Sequence, residues 1–512
     1  MEIAAPLPAA AGAGAAPARY SHRAKIGALL LLVGGADWLF FDQGGGSTWG
    51  AWTLALLALL LATVPPARRG TSRAAVAAAA LFALALTWDP SILALALFWA
   101  AASLAMLLPK ARFDNGWHWA LRLLWQALRA FIAPAADGRR VDHARARHPS
   151  GLGGHIKTLA LPLAGTAVFL ALFATANPVL GDAFARLDVA LIFASLTLSR
   201  IAFWLLVALP LWALFRPKVL RFERGPATAD ADLPLPSAAS VTLSLLAFNL
   251  VFALQNGMDI AFLWSGARLP DGMTLAGYAH RGAYPLMATA LLAGLFVLVT
   301  LRPRSPLAES AAIRRLVYLW IGQNVLLVAS TVLRTLDYVD AYSLTRLRIA
   351  ALIWMGLVAV GLVLICWRIW KGRSGAWLIN ANCAAASLAL TACTVVDLGA
   401  VAAEWNVRHA GEAGGHGAAL DICYMEALGP SALLPLVELE RQPLAPSSRA
   451  RVEWVRNLIL DRLEPAQANW RLWTARNALR LSEARAGLAE ARLPRRTAAR
   501  QACDPALTAG GD

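Results

Sequence analysis

Eleven apolar stretches, each close to the ~20 residues that cross a hydrocarbon layer as one helix, dominate the chain before residue 400. They run over 26–41, 49–64, 74–87, 92–108, 156–176, 189–215, 238–262, 286–301, 316–336, 347–367 and 376–396. Hydrocarbon offers no partner to a backbone N–H or C=O, so such stretches must close their own hydrogen bonds as helices. The expected fold is therefore all-α, a polytopic transmembrane helical bundle of about 11 spans with a small helical C-terminal extramembrane domain. The 74–87 stretch is short, and a re-entrant segment is its alternative. With 58% hydrophobic and 15% charged residues, the chain lies well outside the ordinary soluble composition of roughly 25% charged.

The net charge of +16 is not that of a nucleic-acid binder, because the basic residues fall in short clusters between apolar stretches and not on one polar domain. Arg19, Arg23 and Lys25 precede the first span. Further clusters hold Arg68, Arg69 and Arg73; Lys110 and Arg112 through Lys157; Arg216, Lys218, Arg221 and Arg224; Arg302, Arg304, Arg314 and Arg315; and Arg368, Lys371 and Arg373. The connections between them are acidic or mixed, beginning with Asp42, Asp89 and Asp182. By the positive-inside rule the N-terminus is expected inside and the C-terminus outside. Arg346 and Arg348 dissent from this alternation.

Residues 1–25, rich in Ala, Pro and Gly, read as a disordered cytoplasmic tail, and 26–399 as the bundle. Near 115–132, Trp117, Leu121, Leu124, Leu128 and Phe131 recur at helical spacing with Arg122, Gln126 and Arg129 on a neighbouring face. That pattern suits a helix in the cytoplasmic headgroup layer. Residues 400–512 form a helical tail, with helices expected over 421–439, 449–463 and 467–491, a linker at 443–448 and a break at Pro465. From Val401 onward 14 Arg face 13 acids, so about +15 of the +16 belongs to the membrane part. Trp454, Trp470 and Trp473 either pack between tail helices or rest on the bilayer. Cys423 and Cys503 would meet an oxidising compartment and be able to pair, although Cys503 sits in a frayed end.

No phosphate-binding glycine loop, paired-histidine metal motif or nucleophile elbow occurs, so neither a metal nor another cofactor is expected. What remains is the depth of the polar residues. A charge inside a span costs roughly 2.5 to 3.5 kcal/mol on insertion scales and normally finds a partner. Asp37, Arg200, Asp259, Arg334 with Asp337, and Asp397 lie within or at the ends of spans, and Asn249, Gln255 and Asn256 extend the set along the seventh. Asp337 and Asp397 read as interfacial helix caps. Arg200 has largely apolar sequence on both sides, and Asp37 or Asp259 is its expected acid partner. Between residues 259 and 285, Pro270 to Gly272 form a turn, Thr274 is an N-cap, and Tyr278, His280, Arg281 and Tyr284 gather on a helix kinked by Pro285. Such a cluster can grip a phosphate or carboxylate; equally, it can be an aromatic belt with a snorkelling arginine.

The segment LPDGMTLAGYAHRGAYPLMATALLAG (269–294) resembles the signature of an uncharacterised bacterial family of multi-pass inner-membrane proteins, a domain of unknown function of the DUF4153/DUF4173 type. YVDAYSLTRLR (338–348), VVDLGAVAAEWNVRHA (395–410) and LDICYMEALGPSALLPL (420–436) are similar to three further stretches of that family. The resemblance implies a bacterial inner membrane as the location, so that outside is periplasmic, and it marks Tyr278, His280, Arg281, Tyr284, Tyr342, Thr345, Arg346 and Asn406 as candidate functional positions. Gly277 and Ser343 stand where the family usually has an acid and a glycine, and Ser431 where an aspartate is common.

Taken together, the candidate binding residues are Tyr278, His280, Arg281, Tyr284, Asp259, Arg200, Tyr342, Arg346 and Asn406. The expected partners are the lipid bilayer and a small anionic or lipid-linked ligand. The leading expectation is a permease-like or sensory envelope protein with an outward-facing polar cavity. The alternative is a membrane enzyme acting on a lipid-linked substrate at the periplasmic face, with His280 as general base and Arg281 stabilising an anion. A reporter enzyme that works only in the periplasm should be active when fused after Val396; activity there of a reporter confined to the cytoplasm would invert the assignment of sides.

Overall fold

The computed structural model describes residues 22–64, 70–147, 197–220, 237–261, 292, 296, 310–415 and 417–491. Among them the helices are α1 (His22–Phe40), α2 (Thr48–Thr63), α3 (Arg73–Trp88), α4 (Ile92–Leu107), α5 (Gly116–Arg147), α6 (Leu198–Phe215), α7 (Ala238–Asp259), α8 (Ala311–Tyr342), α9 (Arg346–Lys371), α10 (Gly375–Val395), α11 (Leu398–His409), α12 (Ile422–Leu428), α13 (Leu433–Glu440), α14 (Pro446–Ala468) and α15 (Ala475–Glu490). Their starts are written in the sequence. Ser91, Thr197, Ser237, Thr345, Ser374, Asp397, Asp421 and Thr474 each turn a side-chain oxygen onto an otherwise orphaned N–H of the following first turn.

The expected eleven spans are an overcount. Eight helices among the described residues are long and apolar enough to cross a bilayer: Gly70–Trp88, Ile92–Lys110, Leu198–Phe215, Ala238–Asp259, Ala311–Tyr342, Arg346–Lys371, Gly375–Val395 and Ile422–Glu440. Counting apolar runs treats every run as a crossing, whereas 49–64 forms a helix of only 16 residues, about 24 Å long against a hydrocarbon core of ~30 Å. The stretch 156–176 lies outside the described residues, as does 286–301 apart from residues 292 and 296. The segment Ile422–Glu440 was expected as one tail helix, but a 3-10 turn at Gly429–Ala432 interrupts it, and it packs against α14.

Three cores organise the chain. The first joins α1 to α4 and α6 around Leu56, Leu86, Phe98 and Phe215. The second lies among α7 to α10, where Trp320 is ringed by Phe248, Phe252 and Phe296 at centroid distances of 5.3 to 5.9 Å. The third belongs to the C-terminal helices, with Leu433, Leu436, Leu439, Val455 and Leu460 fully enclosed. Pro465, expected as a break, lies inside α14, which ends only at Ala468. A proline in a last turn forfeits one backbone bond and the helix stops within a few residues. Likewise α14 begins at Pro446, so the expected linker is shorter than 443–448. The Trp470 ring lies tilted against Trp38 of α1 with centroids 5.3 Å apart, and Trp454 packs against the third core.

Polar residues inside the bundle pair between helices. Arg200 of α6 donates through Nε to Asp37 of α1 at 2.8 Å, and Trp204 Nε1 donates to the same carboxylate at 2.8 Å. Along the α7–α8 contact, Gln323 donates to Asn249 at 2.8 Å and Asn256 to the Gln323 carbonyl at 3.1 Å. At the end of this seam Arg334, 7% exposed, pairs with Asp259, 1% exposed. Arg334 was grouped with Asp337 in the sequence; the structure pairs it instead with the acid on the neighbouring helix.

Removing one member of a buried ion pair strands the other in a low dielectric, at a cost of about 3 to 5 kcal/mol. Arg334→Met is therefore expected to lower the unfolding midpoint of the purified protein sharply, and Arg334→Met with Asp259→Asn to recover most of the loss. Equal damage from the single and double variants would show that the pair is not what holds α7 to α8.

Candidate functional site

The connection between α8 and α9 is where the family-like words converge. Ser343 takes a positive φ of 69°, the left-handed region in which a Cβ is disfavoured. Its strain is held by neighbours on both sides. Arg348 donates to the carbonyls of Tyr342, at 2.7 Å, and of Ser343, and its guanidinium lies 4.3 Å from the Tyr338 ring centroid. Asn406 of α11 brackets the next residue, accepting from the Leu344 N–H at 2.6 Å and donating to the Leu344 carbonyl at 3.0 Å. Thr345 caps α9, and the Arg346 N–H donates to the Tyr424 hydroxyl at 2.8 Å. Arg346 is exposed and Arg348 half-buried, and both are held by hydrogen bonds at this connection.

From this connection Arg346 reaches a second layer. Its guanidinium lies so close to Gly399 that a Cβ there would sit 2.3 Å from Nη2, and it donates to the Ser431 hydroxyl at 3.4 Å. Ser431 in turn donates to Asp397 at 2.8 Å, so a serine at this position relays between an arginine and an acid. Asp397 caps α11 through the Gly399 and Ala400 N–H groups at 2.8 and 3.1 Å and also pairs with Arg480 of α15. One turn earlier on α15, Arg476 pairs with Asp89, just beyond α3, at 2.9 Å and lies 3.9 Å from Asp397. Burial alone would raise the Asp397 carboxyl, but the Arg480 charge and the hydrogen bonds from Ser431 and Ala400 outweigh it and hold the group below its ordinary value. For Asp89 burial prevails over the Arg476 and Arg480 charges and the carboxyl is pushed up.

Backbone contacts complete the docking of the C-terminal helices on the bundle. Gly46 and Ser47, between α1 and α2, donate their N–H groups to the Arg471 and Trp473 carbonyls, both at 2.8 Å. A side chain at Gly46 would collide with the backbone of Leu472 and Trp473.

Between the end of α8 and α11 lies a cavity of about 520 Å³, within the range of small-molecule sites. Asp340, Ser343, Trp405, Asn406, Arg408 and His409 line it, and Gly415, Gly417 and Ala418 close one side. His409 stacks on Trp405 at 3.9 Å, and its Nδ1 donates to the Trp405 carbonyl at 2.8 Å. In the neutral imidazole this leaves Nε2 as the acceptor. Arg408 is exposed and pairs with Glu404, so its guanidinium can be exchanged onto another anion at little cost.

Of the residues singled out in the sequence, Tyr342, Thr345, Arg346 and Asn406 come together here. Asp259 and Arg200 do not join them, since each is paired with a side chain on a neighbouring helix. Tyr278, His280, Arg281 and Tyr284 lie outside the described residues. Asp340, Trp405, Arg408, His409, Arg476 and Arg480 were missed; only the four-residue spacing of Arg476 and Arg480 hinted that two cations share one helix face. Asp397, expected as a simple cap, is also the centre of the ion-pair network.

The two aspartates differ in sign. A depressed carboxyl stabilises the fold above its ordinary value of about 3.9 and loses that contribution as pH falls through the folded value, whereas a raised one makes ionisation unfavourable to the fold. Asp397→Asn is expected to cost about 3 kcal/mol in unfolding at neutral pH. Asp89→Asn should cost much less, because Arg476 keeps Asp397 within reach. The reverse order, measured by thermal or denaturant unfolding, would refute this account of the network.

No curated protein and no solved structure matches the chain. Residues 74–439, well over half its length, match the family described as Domain of unknown function (DUF4153). The span runs from the start of α3 through α13 and takes in the connection, the cavity and the acids Asp89 and Asp397 of the network, while Arg476 and Arg480 lie beyond it; this multi-pass membrane protein belongs to the DUF4153 family.

Proposed function

We propose that this protein is a sensory inner-membrane protein whose cavity between α8 and α11 faces the periplasm and binds a small anionic or lipid-linked ligand. The observation that carries the proposal is the cavity itself, set at the joint between the membrane helices and the C-terminal helices and backed by Asn406 and the α8–α9 connection. Arg408 supplies a cationic donor on its wall, His409 an imidazole and Trp405 an apolar face. The periplasmic side is supported by the charge alternation of the connections and by Cys423, which is disulfide-bonded as an oxidising compartment permits. Its expected partner, Cys503, lies outside the described residues.

Sensing is favoured over transport by the way the C-terminal helices are held. Carriers usually break helices near the membrane midplane, whereas among the described residues α7 to α10 run without interruption. Ligand in the cavity would bear on α11, whose cap Asp397 is tied to α15 and near α3. A population shift needs only a difference in affinity between two arrangements of this joint.

Thermal unfolding of the full-length protein in detergent, titrated with inorganic phosphate, citrate and an isoprenoid phosphate, tests the proposal. At least one anion should raise the midpoint, and Arg408→Ala with His409→Ala should abolish the rise. A rise of undiminished size in that variant, or none in the native protein, would overturn it.

A further inference from the structure

Where the C-terminal helices meet the end of α1, an arginine lies over two exposed tryptophans. Its position is fixed by the turn from Asn469 to Thr474, which joins α14 to α15. The Leu472 and Trp473 N–H groups donate to the Asn469 carbonyl at 3.0 and 2.9 Å, and the Arg471 N–H donates to the Asn469 side chain at 3.0 Å. The Arg471 carbonyl accepts from the Gly46 N–H at 2.8 Å and from the Thr48 hydroxyl at 3.3 Å. Both backbone groups of this residue are therefore engaged, and its side chain leaves from a rigid base. The guanidinium carbon lies 5.3 Å from the Trp38 ring centroid and 4.9 Å from that of Trp470.

Stacking uses the face of a guanidinium and leaves its edges, where the N–H donors point. Among the described residues no carboxylate pairs with Arg471 and none of its side-chain N–H groups has an acceptor, the enclosed Nε included. Its neighbours at the joint differ, since Arg476 and Arg480 meet Asp89 and Asp397. Trp38 and Trp470 are each more than half exposed, and Trp473 more than a third. Indole joins a large apolar body to a single polar N–H and collects at the level of the lipid headgroups. Running back along α1 from Trp38, Gly34, Leu31, Leu30 and Gly27 are exposed at helical spacing and so share one face. Both leucines are more than half exposed, and both glycines look into open space. An apolar furrow of about 16 Å, eleven residues of helical rise, thus leads up to the arginine.

We propose that Arg471 binds the phosphate diester of a membrane phospholipid, with an acyl chain lying along the face of α1 between Gly27 and Trp38. Two diester oxygens accept parallel bonds from one guanidinium edge, and the chain fills the furrow. A carboxylate on a partner protein would also meet the arginine, but it offers nothing to the furrow; a phospholipid carries both groups at the spacing of headgroup and chain. The diester is shared by anionic and zwitterionic phospholipids, and it is the diester that the arginine recognises. None of these residues lines the cavity between α8 and α11, so this site stands or falls apart from the ligand proposed there.

Native mass spectrometry and thermal unfolding of the full-length protein in a neutral detergent, with phosphatidylglycerol, phosphatidylcholine, diacylglycerol or inorganic phosphate added, test the assignment. Either phospholipid should be retained and raise the midpoint, and the other two additions should do neither. Arg471→Gln should weaken retention of the most tightly held phospholipid about tenfold, a loss of roughly 1.4 kcal/mol, and remove most of the lipid-dependent rise. Equal retention of diacylglycerol, a full effect from inorganic phosphate, or undiminished retention in the variant would each overturn the proposal. Undiminished retention with a midpoint lowered equally in the presence and absence of lipid would show that Arg471 only staples the C-terminal helices to α1. Should the variant not fold, a phospholipid with a photoreactive group beside its phosphate decides the matter on the native protein: cross-links should fall on the peptides holding Trp38 and Trp470, and their absence there would overturn the assignment.

Discussion

A charge withdrawn from water must meet its opposite or a set of aligned dipoles, and this single constraint accounts for how the helices of the protein are joined. Asp37 with Arg200 ties α1 to α6, Asp259 with Arg334 ties α7 to α8, and Asp397 with Arg480 ties α11 to α15. Each pair links elements far apart in sequence, at positions where apolar packing alone would tolerate several registers. Lipid tails are as apolar as leucine, so hydrophobic burial cannot choose among those registers within a membrane, while a polar pair can.

At the joint with the C-terminal helices the same constraint is applied more densely. Asp397 ends one helix connection, begins α11 and receives Arg480, with Arg476 close by. Ser431 and Arg346 extend the network back to the α8–α9 connection. Gly46 and Ser47 add two backbone bonds on the opposite side of the joint. A cavity beside so constrained a set of contacts is one whose occupancy would be felt by several helices, because packed elements move between discrete arrangements and do not deform smoothly.

Much of this was visible in the residues themselves. The apolar runs announced membrane helices, Ser, Thr and Asp marked where many of them begin, and isolated Arg200 called for an acid, which Asp37 supplies. The family-like words at 338–348 and 395–410 pointed to positions that do converge, and Ser343, which departs from the glycine of the resembled pattern, takes a positive φ. What could not be read were relations between distant segments. Nothing near Asp397 in the sequence names Arg480, and nothing near Asn406 names Leu344. The number of spans was misjudged for a simpler reason: apolarity was counted without regard to the length of the helix it forms, and 49–64 folds as a helix of only 16 residues.

By itself, then, the sequence determined that the chain is helical, that it enters a membrane several times and that its basic residues collect between the crossings, because backbone hydrogen bonding and the cost of charge in hydrocarbon act locally on every segment. Only the tertiary structure decided which charges pair, that α5 turns its arginines inward, and that a cavity opens beside Trp405 and His409. Those outcomes depend on the geometry of helices brought together across hundreds of residues, and periodicity along one segment carries no record of the segment it will face.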